Sequence, residues 1–534
     1  MIVQADGRKF EFPFQAEDPA VTAGDDSNRS RSHDWRRAAK RAVSRLSRLA
    51  IAIAAGVSLA GGAALAASMT NSIRPNIGPS VAPAPTSNIR PTGINPNFPS
   101  GWNSSGSGGQ GGNGGTAGNS DNGKSDKHKT SKKDGTKKDG GSGLRTGFFV
   151  PPPGERRFTN HVVLDIGADV PVATLDALAR RHAMTRIESY TFALTGRTMH
   201  LWELNPGGSV PSMIRALSGE KLVARAQPNF TFRFQQQAEI QPASLPNAAQ
   251  GDPTQYTVGK LHLVDAHRLA TGDGVLVAVI DSGIDDAHPD LAGAIAAKFD
   301  TLGTDEKPHT HGTEMAGAIA SHGRLLGVAP RARLLAVRAF GASASGEEST
   351  TFRILRGLDW AAGQNARIIN MSFAGPADPA LQDALAKARK KGIVLIAAAG
   401  NAGPKSPPLF PAADPNVIAV TATDADDKVS AQANRGNYIA VAAPGVDVLV
   451  PAPDANVALT TGTSVAAAHV SGLAALLIEV KPSLKPDDVR KILMSSARSL
   501  GPKTRNESGA GLADALSAVT AVEPKTAAKP TAEK

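Results

Sequence analysis

The chain has 534 residues, a formal net charge of +10 and no cysteine. This length predicts several parts rather than one ordinary domain. The missing cysteines exclude disulfides, a thiolate nucleophile and cysteine-ligated metal sites. The basic residues are concentrated in 36–48 and 124–138, which we interpret as the flank of an export signal and a solvated run. We therefore expect no nucleic-acid partner.

The first feature along the chain is an apolar segment at 49–67 (LAIAIAAGVSLAGGAALAA), directly after an arginine-rich stretch. It ends in a small-x-small pattern at 64–66 (ALA), which is typical of signal-peptide cleavage. We predict that residues 1–67 are a cytosolic n-region and a signal peptide. An uncleaved inner-membrane anchor is the alternative, and it is the one case in which we expect a membrane contact. In both cases the rest of the chain leaves the cytosol, and we expect a secreted or periplasmic protein.

Residues 68–147 are Pro-rich, then Gly/Ser/Asn-rich, then Lys/Asp-rich. Such composition cannot bury enough apolar surface to form a core, and it predicts a disordered linker. Binding of this basic linker to anionic envelope polymers or nucleic acid is a weaker hypothesis that is compatible with any activity elsewhere.

Order is predicted to resume at residue 148. Strand patterns at 161–166, 187–193, 198–204 and 222–227 alternate with helical patterns at 172–182 and 210–217. The order β-α-β-β-α-β predicts a small α+β, ferredoxin-like domain over 148–234. A polar stretch at 235–250 follows it.

The region 251–522 has another pattern. Helical segments such as 351–364 and 380–390 alternate with short, unbroken apolar runs at 275–280, 334–337, 368–371, 393–398 and 417–420. This alternation predicts an α/β domain whose parallel sheet carries helices on both faces. Functional sites in such sheets form at the carboxyl ends of the strands. Residues 523–534 are predicted to be a disordered tail.

Four polar residues lie at or near such positions. Asp281 directly follows the first apolar run, Asn401 follows another, and His311 and Ser464 each stand near the start of a helix. Each alone could be a helix cap or a turn residue. Together they are the groups that serine catalysis needs: a nucleophile, a base, an orienting carboxylate and an oxyanion donor. A serine at a helix N-terminus can also offer its own N–H to the developing charge.

At these residues the chain resembles the subtilisin-like serine proteases, the subtilases, over about 245–522. The resemblance rests on the motifs at 279–284 (VIDSGI), 288–291 (HPDL), 311–313 (HGT), 327–330 (GVAP), 398–401 (AAGN), 462–464 (GTS) and 469–472 (HVSG). It implies a subtilisin-like fold and a serine endopeptidase that hydrolyses peptide bonds through an acyl-enzyme. It also implies that Asp281 orients, His311 is the base, Ser464 attacks and Asn401 donates to the oxyanion.

The resemblance extends upstream. Subtilases often carry an intramolecular chaperone and inhibitor of this βαββαβ shape, which ends in a Pro-Asn-aromatic segment such as 228–230 (PNF). It implies a zymogen whose prodomain, 148–234, templates folding. The C-terminal strand of the prodomain then lies in the substrate cleft as an inhibitor. Cleavage is expected within the linker 235–250. An unrelated accessory domain remains the alternative.

The resemblance also suggests where substrate binds. One side of the pocket for the residue before the cut would be Ser372, Phe373, Ala374 and Gly375. The other side would be Ala398, Ala399 and Gly400, with Leu409 near the floor, where a larger side chain than glycine favours smaller apolar substrate residues. Partners are therefore expected to be protein or peptide substrates and the chain's own prodomain.

Three departures from the family pattern stand out. Ala468 replaces a usual proline, which removes a constraint but no catalytic atom. At Glu314-Met315 we expect only a packing change. The loop after the histidine helix, 321–325 (SHGRL), is shorter than the calcium loop of well-known subtilisins. Asp290 matches one calcium ligand, but a calcium site needs six or more oxygens. We therefore expect no cofactor and no calcium at this loop, although a weaker calcium site elsewhere stays possible.

One alternative belongs to another class of protein. A catalytically silent subtilisin fold could serve as a binding protein displayed by the long linker. Silent relatives of enzymes usually lose a catalytic residue, whereas this sequence keeps all four.

Overall fold

The computed structural model describes residues 2–5, 8–11, 144–155, 157–234, 254–304, 310–343 and 346–522. The chain divides into two units, 1–130 and 131–534. In the first, the described residues form an antiparallel hairpin of β1 (Ile2–Ala5) and β2 (Arg8–Glu11). The predicted signal segment, most of the predicted linker, all of 235–250 and the tail lie outside the described residues.

The second unit begins with a small module, residues 148–234, that has the predicted order β-α-β-β-α-β. Its neighbouring strands run antiparallel in the order β6-β3-β5-β4. Both helices lie on one face of this sheet, over a core that includes Trp202, Leu164 and Ile214. The elements are β3 (Phe158–Asp165), α1 (Val172–His182), β4 (Met184–Phe192), β5 (Arg197–Leu204), α2 (Val210–Leu217) and β6 (Arg225–Arg233).

Local sequence accounts for the limits of the module's helices. Pro171 precedes α1 in an extended conformation, and Ala183 ends the helix in the left-handed region at φ 50°. The Ser209 side chain accepts a hydrogen bond from the Ser212 N–H at the start of α2. Both helices occupy the ranges that their periodicity predicts.

The large domain is built on a seven-stranded sheet in which all neighbouring strands are parallel, in the order β15-β14-β13-β12-β7-β9-β8. Its strands are β7 (Leu276–Asp281), β8 (Ile295–Asp300), β9 (Arg333–Arg338), β12 (Ile368–Met371), β13 (Val394–Ala398), β14 (Ile418–Thr423) and β15 (Ile439–Pro444). Two antiparallel hairpins accompany it, formed by β10 (Gly341–Ser343) with β11 (Gly346–Thr350) and by β16 (Val448–Ala452) with β17 (Asn456–Thr460).

Helices cover both faces of this sheet, which confirms the predicted fold class. Val277 and Val279 of β7 belong to the core beneath α5 and α8, whereas Ala278 and Ile280 belong to the core beneath α6 and α7. The alternation follows from the two-residue period of a strand. The helices are α3 (Tyr256–Lys260), α4 (Leu263–Ala266), α5 (Thr310–Ala320), α6 (Thr351–Gly363), α7 (Pro379–Lys390), α8 (Thr463–Val480), α9 (Pro486–Ser496), α10 (Arg505–Ser508) and α11 (Ala515–Val522).

Helix α8 is the centre of the first of these cores. Its residues from Thr463 to Ile478 are all buried, as expected for a helix that is apolar all round. Among the described residues it is the one helix long and apolar enough to cross a membrane, but 89% of it is buried inside the fold. The helix is therefore a core element of this domain.

The last strand of the small module differs from its prediction. The sequence predicts a strand at 222–227, but β6 runs from Arg225 to Arg233. Its far end pairs with β11 of the large domain, with Glu348 opposite Arg233 and Thr350 opposite Thr231. This partner comes more than a hundred residues later in the chain, so local sequence could not reveal what the far end of the strand pairs with.

The contact between α8 and the loop after α5 leaves no room for a side chain at Gly472. A Cβ atom there would lie 2.7 Å from the Cβ of Val328. We expect Gly472→Ala to lower the free energy of unfolding by about 1–3 kcal/mol through overpacking. The matched control is Gly363→Ala at the exposed end of α6, where nothing lies within 4 Å and about 0.5–1 kcal/mol of stabilisation is expected. Urea unfolding in a Ser464→Ala background measures both, and equal midpoints would contradict the close approach.

Candidate active site

The first pair of predicted site residues is in direct contact. Asp281 is the last residue of β7, and His311 is the second residue of α5. His311 Nδ1 lies 2.7 Å from Asp281 Oδ1, and both side chains are fully buried. The Ser282 N–H also donates to the same carboxylate oxygen, at 2.8 Å. A carboxylate at Nδ1 holds the proton on that nitrogen and leaves Nε2 as the basic one.

The surroundings raise the pKa of His311. Burial alone would lower it, since the imidazolium loses its hydration. The charge and hydrogen bond of Asp281 outweigh this effect, and the charges of Glu314 and Glu347 act in the same direction. His311 is therefore a stronger base than an imidazole buried among apolar groups.

Gly312 allows helix α5 to approach the loop after β7 closely. A Cβ atom at Gly312 would lie 1.9 Å from the Gly283 carbonyl oxygen. The Gly312 N–H donates to Ser282 Oγ at 3.1 Å. A side chain at residue 312 would thus push His311 away from Asp281, which explains why glycine follows the histidine.

Ser464 stands in the first turn of α8 and is anchored to the end of β12. Its hydroxyl donates to the Ser372 carbonyl oxygen at 3.2 Å, and the Ser372 hydroxyl donates to the Ser464 carbonyl oxygen at 3.0 Å. This reciprocal contact, together with the burial of the helix, fixes the position of the hydroxyl.

Asn401 lies beside the start of the same helix. Its Oδ1 accepts a hydrogen bond from the Thr463 N–H at 3.0 Å, which fixes the orientation of the amide. A Cβ atom added at Gly462 would lie 3.0 Å from Asn401 Nδ2 and 3.7 Å from the Ser464 backbone nitrogen. Two N–H donors therefore border the space that glycine leaves open. Such a space could hold a negatively charged oxygen.

The predicted substrate-binding residues lie on two segments. Residues 372–375 follow β12, and Ala374 exchanges both backbone hydrogen bonds with Arg233 of the small module, at 2.9 and 3.0 Å. Phe373 packs edge-on against Phe232. Ala398 is the last residue of β13, and Ala399 and Gly400 come directly after it. Buried Leu409 lies near Gly400.

The end of the small module covers this region. Residues Thr231 to Arg233 of β6 pair with β11, and on its other side Arg233 exchanges backbone hydrogen bonds with Ala374. The Phe234 ring stacks on the His311 ring with centroids 3.9 Å apart and an interplanar angle of 19°. It also stacks on Phe340, at 4.4 Å. The segment 231–234 therefore covers His311 and the predicted substrate-binding segment 372–375, and we call this surface the groove.

Sequence reasoning missed Phe234, Phe340 and β11. A signal for the first was present, because 230–234 (FTFRF) alternates aromatic and polar residues as a strand does. Nothing local indicated that the partner of this strand would be 346–350. Glu314 was noticed as a departure, but its burial beside His311 was not foreseen.

The residues around Asp290 do not fit a calcium ion. Asp290 Oδ1 accepts a hydrogen bond from the Arg324 N–H at 2.6 Å, and Oδ2 accepts one from the Leu325 N–H at 3.0 Å. Backbone donors thus face the carboxylate where a cation would need further oxygens. The described residues also contain no group of three or more His, Cys, Asp or Glu that could hold a metal. The expectation of an enzyme without calcium at this loop stays a prediction.

Comparison with known proteins agrees with this geometry. The subtilase family profile (Peptidase_S8) matches residues 272–511. Thermitase from Thermoactinomyces vulgaris is 38% identical over 240 residues, which cover 43% of this chain and 85% of thermitase. Subtilisin Savinase from Lederbergia lenta is 38% identical over 273 residues, covering 49% of this chain and 97% of that protein.

A solved structure is similar over a longer stretch. Fervidolysin from Fervidobacterium pennivorans, a keratinolytic enzyme related to subtilisin, matches with a TM-score of 0.57 and 22% identity. The match covers 69% of this chain and 61% of fervidolysin, and at this identity it shows the fold alone. The sequence matches to the family profile, thermitase and Subtilisin Savinase show that the chain belongs to the subtilase family, and it is a subtilisin-like serine endopeptidase.

The pKa of His469, the histidine within α8, is shifted in the opposite direction to that of His311. His469 is buried, its Nδ1 lies 2.9 Å from the Pro444 carbonyl oxygen, and burial lowers its pKa to about 4. As the pH falls below the ordinary value of 6.5, the unfolded chain takes up a proton that the folded chain refuses, so stability declines. We expect about 3 kcal/mol to be lost between pH 6.5 and 4.

This loss should be smaller in His469→Gln, which cannot titrate. Urea unfolding at several pH values, in a Ser464→Ala background, measures it for both chains. The same pH dependence in both would show that His469 does not contribute to the acid sensitivity.

Proposed function

We propose that this chain is an exported serine endopeptidase, made as a zymogen that processes itself, in which the small module is the prodomain. The observation that carries the proposal is the stacking of Phe234 on His311 at 3.9 Å, while Arg233 is bonded to Ala374 on one side and paired with β11 on the other. A polypeptide held in this way lies as a substrate or an inhibitor would. The same geometry supports the roles that we propose for the site residues.

In the proposed mechanism Ser464 is the nucleophile. Its hydroxyl leaves the Ser372 carbonyl, attacks the substrate carbonyl carbon and passes its proton to His311 Nε2. Asp281 holds the imidazole by Nδ1 and stabilises the imidazolium. The negative oxygen lies in the space at Gly462, between Asn401 Nδ2 and the Ser464 N–H. His311 then gives the proton to the leaving amine, and water releases the acyl group by the reverse steps.

The prodomain role is supported by a buried polar contact between the two parts. Gln227 Nε2 donates to Asp378 Oδ1 at 2.7 Å, and Gln227 Oε1 accepts from the Ala380 N–H at 2.9 Å. Asn229 Oδ1 accepts from the Phe352 N–H at 3.1 Å. Two amide side chains of β6 thereby satisfy N–H groups at the starts of α7 and α6, which have no partner within their helices.

The register of β6 also suggests which bond is cut. With Phe234 over the imidazole, Gln235 and Gln236 are the next residues along the chain. We infer that the Gln235–Gln236 bond is presented to Ser464 in the newly folded chain. This bond lies within the expected processing linker, 235–250. Substrates would bind in the same groove, with Phe340 and His311 against the side chain two positions before the cut.

Export is proposed from the arginine-flanked apolar segment at 49–67. Cleavage of that segment would give a secreted or periplasmic enzyme, and retention would give an inner-membrane anchor with the protease outside the cytosol. We propose protein or peptide substrates, no cofactor and no nucleic-acid partner.

The test is intact-mass analysis of the exported wild type beside Ser464→Ala, with Ser495→Ala on the exposed face of α9 as the control. We expect the wild type and the control to lose the segment up to Gln235, and Ser464→Ala to keep it. The masses also show whether the signal segment is removed. A Ser464→Ala chain that still processes itself would overturn the proposal. A folded wild type that stays whole and does not react with a fluorophosphonate would favour the silent binding protein.

The buried contact at Gln227 gives a further prediction. Removing its amide leaves the Asp378 carboxylate, which is fully buried, without one of its donors. We expect Gln227→Ala to weaken prodomain docking by about 1–3 kcal/mol, and hence by roughly 5- to 150-fold. Asn160→Ala, which removes an exposed contact to Glu203, is the control. The time at which peptidase activity appears after processing measures release of the prodomain, which should come earlier in Gln227→Ala than in Asn160→Ala. Equal times in the two variants would contradict the prediction.

A further inference from the structure

Glu314 is a buried carboxyl group that the proposed mechanism does not use. It lies on α5 three residues after His311, and its exposed fraction is 0%. The Thr460 hydroxyl donates to its Oε2 at 3.0 Å. Its Oε1 is buried and has no hydrogen-bond partner among the residues that the structure describes. Such a group costs stability, so its retention calls for a physical reason.

Its position places it beside the base. Residues three apart share one face of a helix, with Cβ atoms about 5–6 Å from each other. Burial raises the pKa of Glu314, the charge of Asp281 acts in the same direction, and His311 together with the Thr460 hydroxyl opposes them. Asp281, His311 and Glu314 therefore form one cluster of titratable groups, closed on one side by Thr460.

Few other charges face this cluster. Strands β16 and β17, which lie against α5, carry no charged side chain. Helix α8 brings His469, which burial keeps neutral near pH 7. The remaining groups on neighbouring elements are Glu347 on β11, His288 and Asp290 at the turn 289–291, and Arg338 on β9, which pairs with Asp300. When Glu314 is ionised, it thus places a negative charge beside His311 that little else compensates.

We propose that Glu314 is a positioning residue that acts on His311 through its charge and sets the acid limit of peptide hydrolysis. This inference rests on the proposed function of His311. When ionised, Glu314 favours the imidazolium, so that His311 holds its proton to a higher pH. Only neutral His311 can accept the proton of Ser464, so activity rises with pH as His311 loses its proton. The carboxylate therefore shifts this rising part of the pH–activity profile, the acid limb, to a higher pH.

Thr460 contacts the Glu314 carboxyl group and lies close to Ser464 in the sequence. It ends β17, four residues before Ser464, and its hydroxyl stabilises the ionised form of Glu314. Loss of the hydroxyl should leave Glu314 neutral over a wider pH range. The effect on His311 should then resemble loss of the carboxyl group itself.

The experiment measures kcat/KM against pH for the full chain after self-processing, as wild type and as Glu314→Gln. Glutamine keeps an oxygen for the Thr460 hydroxyl but has no charge. We expect its acid limb to lie about one pH unit lower. One unit below the wild-type midpoint, kcat/KM relative to each plateau should then be about fivefold higher in the variant.

Two substitutions at Thr460 separate the charge effect from packing. Thr460→Val should move the acid limb in the same direction, and Thr460→Ser should leave it at the wild-type position. The double variant Glu314→Gln/Thr460→Val should move it no further than Glu314→Gln alone, since both act through one group. The rate at which a fluorophosphonate labels Ser464 provides a second reading of the same limb.

An acid limb that stays at the wild-type pH in Glu314→Gln would overturn the inference, even if the plateau falls. Should that variant fail to fold, equal limbs in Thr460→Val and Thr460→Ser would overturn it instead. Failure of the proposed function looks different, because a wild type that neither hydrolyses peptides nor reacts with the fluorophosphonate has no limb to compare.

Discussion

The active site depends on the burial of helix α8. From Thr463 to Ile478 the helix is enclosed by the core, so it can neither slide nor turn without opening that core. Its first turn consequently has one position, in which the Ser464 hydroxyl contacts Ser372 and the Thr463 N–H holds the Asn401 amide. A polar group at the end of such a helix is placed by apolar packing, which is how the position of Ser464 is fixed so close to Gly462.

The parallel sheet explains how much of this could be predicted. Unbroken apolar runs predict β7, β9, β12, β13 and β14, and the structure has all five strands. That the polar residues near their carboxyl ends form a functional site stays a prediction. Strand β8 was missed, because 295–300 (IAAKFD) places a lysine and an aspartate at the edge of the sheet. The hairpins were missed for a related reason. Their strands are short: within the described part of the chain, β16 and β17 pair only with each other, and of the pair β10 and β11 only β11 has a distant partner, β6.

The limits of prediction are clearest at the groove. The alternation in 230–234 indicates a strand, but only tertiary structure shows that Phe232 meets Phe373 and that Phe234 covers His311. Glu314 is a similar case. A glutamate on an amphipathic helix usually faces water, and sequence alone gave no sign that the strand ending at Thr460 would bury this one beside the base.

The contacts of β6 suggest why a single cut could change the state of the enzyme. Gln227 and Asn229 are neutral amides, so their hydrogen bonds to α7 and α6 do not depend on pH. Cutting the chain after Gln235 would leave every one of these contacts in place. It would, however, convert docking from an intramolecular to a bimolecular equilibrium, which removes the high effective concentration that the covalent link provides. Under the proposed function the module then inhibits while it is concentrated, and dilution after export favours its release.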